Sequence, residues 1–328
     1  MNMPLPASVM IDAYNLDLEQ GTGVATYARN LSYCLHELGC EVGVLHGRRI
    51  AGPSDPLLRE VTFFDTAGKP PKWRQRLQNV TESILAPGGF AGSATAVQLA
   101  DRVIAPELRR RMAYYDTLWN APDLYSRAQR QFTSWKGIQR VQMERPPEIM
   151  HWTYPLPLRL SGAKNIYTLH DLVPLRLPYT TLDRKRRYLR LMRRIVAEAD
   201  HIVTVSECSR RDIIQLLNAD PARVTNTFQS VSLPAHLTNK PLSVASREIE
   251  STFKLTAQGY YLFVGAIEPK KNVARLIEAY LGSGSQLPLV LAGPRAWKAD
   301  QELRMYLGDE LRLRDRIRLI NYVPQSVL

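Results

Sequence analysis

The sequence predicts an α/β fold made of two Rossmann-like domains, the second of them incomplete, and three observations carry that prediction. Short β-branched and apolar runs alternate with stretches whose apolar residues recur every three to four positions, as strands alternate with helices in parallel sheets. Glycine-bearing turns follow a strand signal and precede a helix signal at Gly21-Thr22-Gly23 and again at Gly265. The 328 residues suffice for about two domains.

Composition narrows the function classes. A hydrophobic content of 45% is ordinary for a chain with packed cores. Cys34, Cys40 and Cys208 form no C-x-x-C pair and no even framework, and so predict reduced thiols in a cytoplasmic protein. Residues 1–10 lack a basic start and a long apolar core, which predicts no signal peptide. No run reaches the roughly 18 apolar residues of a spanning helix. The net charge of +12 is uneven: residues 69–145 hold 13 Lys and Arg against 6 Asp and Glu. Anionic partners are expected from this, namely nucleotide phosphates, an anionic membrane surface or nucleic acid.

Ser8–Asp12 (SVMID) predicts the first strand, and Tyr27, Leu31, Leu35 and Leu38 then follow helical spacing up to a C-capping Gly39. Gly21 and Gly23 between them make either a plain flexible turn or a backbone that a ligand can approach closely. Glu41–His46 predicts a second strand and residues 61–64 a third. Residues 65–147 are expected to form a helical, basic insertion. Within it Trp73, Leu77, Val80 and Ile84 share a helical face apart from Lys72, Arg74 and Arg76. That helix either covers a core or rests in a membrane interface. Gly88, Gly89 and Gly92 suggest a mobile loop. Residues 109–111 with Tyr114, Tyr115, Trp119, Tyr125, Phe132 and Trp135 read either as aromatic core with an arginine rim or as a base-stacking surface. No nucleic-acid motif accompanies them, and no nucleic-acid partner is expected.

Residues 148–152 (EIMHW) and the NIYTL run that ends at His170-Asp171 predict two further strands. A histidine just past a strand end in such a sheet stands where ligands bind, although a purely structural histidine fits there too. Residues 182–199 predict a helix with Tyr188, Leu191, Met192, Ile195 and Ala199 on its apolar face and seven Lys or Arg elsewhere, a face either solvated or drawn to acidic lipid headgroups. HIVTVS then predicts a strand, with Ser206 capping the helix that begins at Glu207. Residues 234–257 are polar and predict a linker between domains at 1–233 and 258–328. In the second domain YYLFV predicts a strand and residues 273–281 a helix. Another strand at residues 288–292, a helix through Leu311 and a strand at Ile317–Ile320 follow. About 70 residues follow Gln258, and three strands are half of the six in a doubly wound domain. Lys270 and Lys271 occupy the turn after the first of these strands, either as a solvated pair or as cations for a phosphate at a helix N-terminus.

Four separated segments resemble family 4 glycosyltransferases, the retaining nucleotide-sugar enzymes of the GT-B fold. They are GTGVATYARNL (residues 21–31), IYTLHDLVPLR (166–176), ADHIVTVSECSRRDI (199–213) and VGAIEPKKN (264–272), the last followed by LVLAGP (289–294). The resemblance implies transfer of a sugar from a nucleotide-sugar donor to a glycan or lipid-linked acceptor, with retention at the anomeric carbon. It places Lys271 on the lysine that neutralises the β-phosphate of the leaving nucleotide. Ala266 stands where many members carry arginine, so either Lys270 supplies the second charge or the clamp is weaker. The backbone of Gly21 and Gly23 would lie against the donor phosphates, His170 would approach the transferred sugar, and Asp171 and Thr22 would shape their loops. The chain has no D-x-D carboxylate pair, so no metal or other cofactor is expected. EPKKN with HDLVP leans toward the mannosyltransferase-like branch of surface polysaccharide synthesis, hence GDP-mannose, at the inner face of the cytoplasmic membrane. The family's E-x(7)-E segment has no counterpart here. The alternative expectation is therefore a truncated, inactive or binding-only remnant without the donor sugar site.

Overall fold

The computed structural model describes residues 8–18, 23–49, 56–64, 90–98, 103, 112–230, 239–321 and 323. Gly21, Thr22, Gly88, Gly89, the stretch around Trp73 and residues 109–111 lie outside them. The chain divides into two compact units, one of residues 1–172 and 184–231, the other of residues 173–183 and 232–328.

In the first unit the strands are β1 (Ser8–Asp12), β2 (Glu41–His46), β3 (Phe90–Val97), β4 (Thr117–Asn120), β5 (Gln139–Met143), β6 (Ile149–Trp152), β7 (Leu158–Leu160), β8 (Lys164–Thr168), β9 (His201–Thr204) and β10 (Val224–Asn226). They form one sheet in the order β10-β9-β8-β6-β1-β2-β4-β3-β5-β7. All neighbours pair in parallel except β3 with β4, so β3, β5 and β7 run against the other seven. Central β1 is apolar almost throughout because both of its faces are covered: Val9, Met10 and Ile11 are buried.

The helices of this unit are α1 (Gly23–Glu37), α2 (Pro56–Phe64), α3 (Leu124–Trp135), α4 (Lys185–Glu198) and α5 (Glu207–Leu217). Ser206 caps α5 as its sequence position predicts, its hydroxyl accepting from the Ser209 N–H at 3.1 Å. Helix α4 buries Leu191, Met192 and Ile195 and leaves Arg186, Arg190, Arg193 and Arg194 exposed. Among the described residues no helix is long and apolar enough to cross a membrane.

The segment that the sequence predicts as helical insertion departs most from expectation. Residues 61–64, expected as a strand, complete helix α2, because Glu60, Phe63 and Phe64 lie three and four apart and are all buried. Val61, Phe63 and Phe64 satisfy either period, and Pro56 at the first helical position tips the balance. Gly92, expected in a mobile loop, belongs to β3, where the ladder to β5 shifts register between Phe90 and Gly92. Among the described residues of the stretch, strands β3, β4 and β5 stand beside helix α3. Of its aromatics, Tyr125 and Phe132 are buried whereas Trp135 is exposed.

In the second unit, helix α6 (Leu242–Phe253) lies within the stretch expected as linker. Strand β11 (Tyr261–Val264), helix α7 (Val273–Gly282), β12 (Leu289–Ala292) and β13 (Ile317–Ile320) follow, and the sheet runs β11-β12-β13, all parallel. The helix expected to run through Leu311 is broken into Ala299–Glu302, Arg304–Gly308 and Glu310–Leu313. Ile267, Val273, Ile277, Leu291, Leu303 and Ile317 form the core of this unit.

Candidate active site

Three adjacent parallel strands, β1, β6 and β8, end side by side, and the carboxyl ends of such strands are where open α/β sheets bind ligands. Asp12 closes β1, Thr153 follows β6, and His170 stands two residues past β8. Asp12 Oδ2 accepts from the Thr153 N–H at 2.5 Å and from its hydroxyl at 2.8 Å, while Oδ1 accepts from the Tyr14 N–H at 3.1 Å. The Thr153 carbonyl lies 3.0 Å from His170 Nε2. A carbonyl only accepts, so Nε2 carries the proton and Nδ1 keeps a lone pair. Burial holds the His170 pKa below the usual histidine range, against the opposing effects of Thr153 and Asp171. The ring is therefore neutral at pH 7, with an acceptor nitrogen to offer.

Further contacts fix this histidine. Tyr27 of α1 meets its ring edge-on at 5.0 Å between centroids, and Ser209 of α5 donates its hydroxyl to the His170 carbonyl at 2.9 Å. The Thr168 hydroxyl lies 3.1 Å from Tyr27 Oη and 2.7 Å from His151 Nε2. Burial, and after it His170, pushes the His151 pKa down to about 4. Asp171 is exposed, and its carbonyl accepts from Tyr188 of α4 at 3.1 Å. Beside Asp12, Tyr14 stacks on Tyr154 at 5.3 Å and meets Tyr125 edge-on at 5.4 Å.

Asp12 is fully buried, and burial outweighs its hydrogen bonds to raise its pKa from 3.8 to about 6. A carboxyl whose folded pKa lies above its unfolded value stabilises the fold fully below the unfolded pKa, and that stability is lost as pH rises through the folded one. The rise corresponds to about 3 kcal/mol by neutral pH. Asp12→Asn is expected to flatten the pH dependence of stability between pH 4 and 6 relative to wild type. Urea midpoints at pH values across that range measure it, and an unchanged slope would place the titration elsewhere.

In the second unit the site is built from two glycines. Gly265 follows β11 and Gly293 follows β12, with φ of 151° and 150°, backbone that side-chain-bearing residues rarely adopt. A Cβ on Gly293 would stand 2.1 Å from the Gly265 carbonyl oxygen. This contact seats the turn after β11 against the one after β12, where the Ile267 N–H donates to the Pro294 carbonyl at 3.0 Å and the Ala296 N–H to the Ile267 carbonyl at 3.1 Å. The chain then makes a single 3-10 turn, Pro269–Lys271, before Asn272 turns left-handed into α7. Lys270 Nζ lies 3.2 Å from Glu268. Lys271 is exposed and makes no ion pair among the described residues. The helix N-terminus is not wholly open: the Ala274 N–H donates to Glu302 at 3.1 Å.

Of the site residues expected from sequence, His170, Asp171 and Gly23 lie in the first unit and Lys270 and Lys271 in the second, each by a strand end or helix start. Asp12, Tyr14, Thr153 and Tyr154 were not foreseen. The signal for them was a polar residue at or just past the end of an apolar strand with a tyrosine after it, in IDAY and HWTY. Among the described residues no three His, Cys, Asp or Glu gather as metal ligands would.

The family model Glycosyltransferase Family 4 matches residues 21–226. The O-antigen chain mannosyltransferase B of Escherichia coli is 31% identical over 178 residues, covering 53% of this chain and 45% of that protein. The matched stretch thus spans less than half of that relative. Anabaena Alr3699/HepE in complex with UDP and glucose has a TM-score of 0.53 at 9% identity, over 97% of this chain and 70% of that one. Its complex with UDP-glucose has the same score and identity, over 97% and 69%. At such identity the likeness speaks for the fold, which is α/β of the GT-B type. The family match covers well over half of the chain and takes in β2, β6, β8 and the His170 cluster: the chain belongs to Glycosyltransferase Family 4.

Proposed function

We propose that this chain serves in a retaining glycosyltransferase that moves a sugar from a nucleotide-sugar to a glycan or lipid-linked acceptor in surface polysaccharide synthesis. The observation that carries the reading is the neutral, fixed His170, whose Nδ1 has no hydrogen-bond partner among the described residues, set at a strand end inside the matched family region. Such a nitrogen accepts a hydrogen bond from a sugar hydroxyl. Leaving-group chemistry falls to the lysine turn. When the glycosidic bond to the nucleotide breaks, negative charge grows on the departing diphosphate, and an unpaired cation aimed at it lowers the barrier. Lys271 is that cation, Lys270 being engaged by Glu268, and the backbone around Gly21 and Gly23 would add donors. On this reading the reaction needs no metal.

The Escherichia coli relative is a mannosyltransferase of O-antigen chains, which favours mannose, and GDP-mannose as the donor. The Anabaena structures hold UDP, glucose or UDP-glucose, so UDP-glucose is the rival donor. The test is to incubate the chain with each donor, a mannose-terminated oligosaccharide and EDTA, then to follow the product by mass and its anomeric configuration by NMR. An α-linked product from an α-configured donor is expected. An inverted product, or nucleotide binding without any transfer, would refute the proposal, and the latter would leave a binding-only protein.

The exposed arginines of α4 support docking on an anionic membrane surface, where each basic residue near the surface adds about 1 kcal/mol. Co-sedimentation with phosphatidylglycerol vesicles at low salt, lost in an Arg190→Glu/Arg194→Glu variant, is the expected result. Failure to co-sediment removes the membrane from the proposal.

A further inference from the structure

The first unit contains a pocket of about 250 Å³, space for about eight waters, whose lining includes Tyr27 and His151 of the His170 cluster but not His170 itself. We propose that it holds one uncharged pyranose ring of the acceptor glycan, an inference that rests on the glycosyltransferase reading above. One wall is a single face of α1, where Tyr27, Asn30, Leu31 and Cys34 follow each other at helical spacing. The segment after β10 contributes Phe228, Gln229 and Ser230 to the lining.

Phe228 carries most of the argument. Its ring is 65% exposed, yet its backbone is held firmly: its N–H donates to Asn226 Oδ1 at 2.9 Å, and the preceding Thr227 N–H donates to the Thr204 carbonyl at 3.0 Å. Its φ of 56° is one that a bulky residue rarely adopts. A large, exposed apolar ring on a backbone held in this way, among the lining residues of a pocket, is a platform for an apolar face. Around it, the side chains of Asn30, Gln229 and Ser230 make no hydrogen bond among the described residues. Amides and a hydroxyl both donate and accept, which is what a ring of hydroxyls requires.

The lining also limits the ligand. No Lys, Arg, Asp or Glu is among the lining residues, so a diphosphate or an acidic sugar would enter without a counter-charge. A lipid chain would leave the three polar side chains unmatched. A pyranose has one C–H face for Phe228 and equatorial hydroxyls for Asn30 and Gln229, and a single ring fits the volume.

Cys34 gives the test a reporter. Cys40 is buried, and Cys34 and Cys208 are exposed, so Cys208→Ser leaves Cys34 as the reactive thiol. Its rate of modification by a maleimide is measured with increasing α-linked mannotriose. Saturable, several-fold slowing is expected relative to each variant's own rate without sugar, and it should disappear in Phe228→Ala. No slowing at tens of millimolar sugar, or equal slowing by hexanol, would overturn the pyranose assignment. Transfer activity is followed on the same samples. Transfer without protection of Cys34 removes this subsite alone, whereas protection without transfer keeps the subsite and removes the proposed activity.

Discussion

Gly293→Ala is expected to destabilise the second unit by more than about 3 kcal/mol, the range reached when a forced backbone conformation and a steric clash act together. Two causes add at this position. The φ of 150° is unfavourable for any residue with a Cβ, and the added methyl would overlap the Gly265 carbonyl oxygen at 2.1 Å. That oxygen is main-chain and has no rotamer through which to retreat. Relief requires β11 and β12 to separate, which breaks the Gly265 N–H to Ala292 carbonyl bond and loosens the Pro269–Lys271 turn. Gly282→Ala supplies the comparison. It ends α7 with nothing within 4 Å of its added methyl, so a neutral effect or a gain of up to about 1 kcal/mol is expected there. Hydrogen exchange of the β11, β12 and β13 amides reads both variants. Equal protection in the two would mean that the glycine pair does not hold the strands in place.

Lys271→Ala is expected to lower the turnover of sugar transfer by about 10²- to 10³-fold, the loss usual when one preorganised partner of a developing oxyanion is removed. Lys270→Ala should cost less than about tenfold, because Glu268 at 3.2 Å already offsets its charge. Both side chains are exposed, so neither change threatens the fold. Turnover at saturating donor is the decisive quantity, since a cation needed only to hold the ground-state nucleotide alters KM and leaves kcat in place. A larger loss in Lys270→Ala than in Lys271→Ala would reverse the assignment.

The parts of the fold legible in sequence are those where one local period dominates. Strands β1, β2, β8, β9 and β11 are short apolar runs bounded by a polar residue or glycine, and α5 announces itself through Ser206. Residues 61–64 were misread because Val61, Phe63 and Phe64 satisfy both periods, and the burial of Phe63 and Phe64 against Ile11 and Leu118 decides for the helix. Strand β3 was missed because its glycine, serine and alanines (FAGSATAV) carry little strand propensity, and pairing with β4 and β5 supplies what propensity does not. In the site, His170 was legible because it stands just past its strand. The Asp12–Thr153 contact spans 141 positions, and neither residue belongs to a motif. Only the adjacency of β1 and β6 brings them together.

That adjacency also governs the order in which the protein can assemble. Met10 pairs on one side with Gly43, soon after it in the chain, and on the other with Met150. During synthesis β1 and β2 leave the ribosome together, while β6 follows roughly 5–20 s later at ordinary elongation rates. For that interval the strand destined for the centre of the sheet has one side unmatched and its apolar residues uncovered, the condition that attracts trigger-type chaperones or a second nascent chain. The first unit of this chain is therefore most vulnerable while it is half made, and slower translation between residues 47 and 148 should lower its soluble yield.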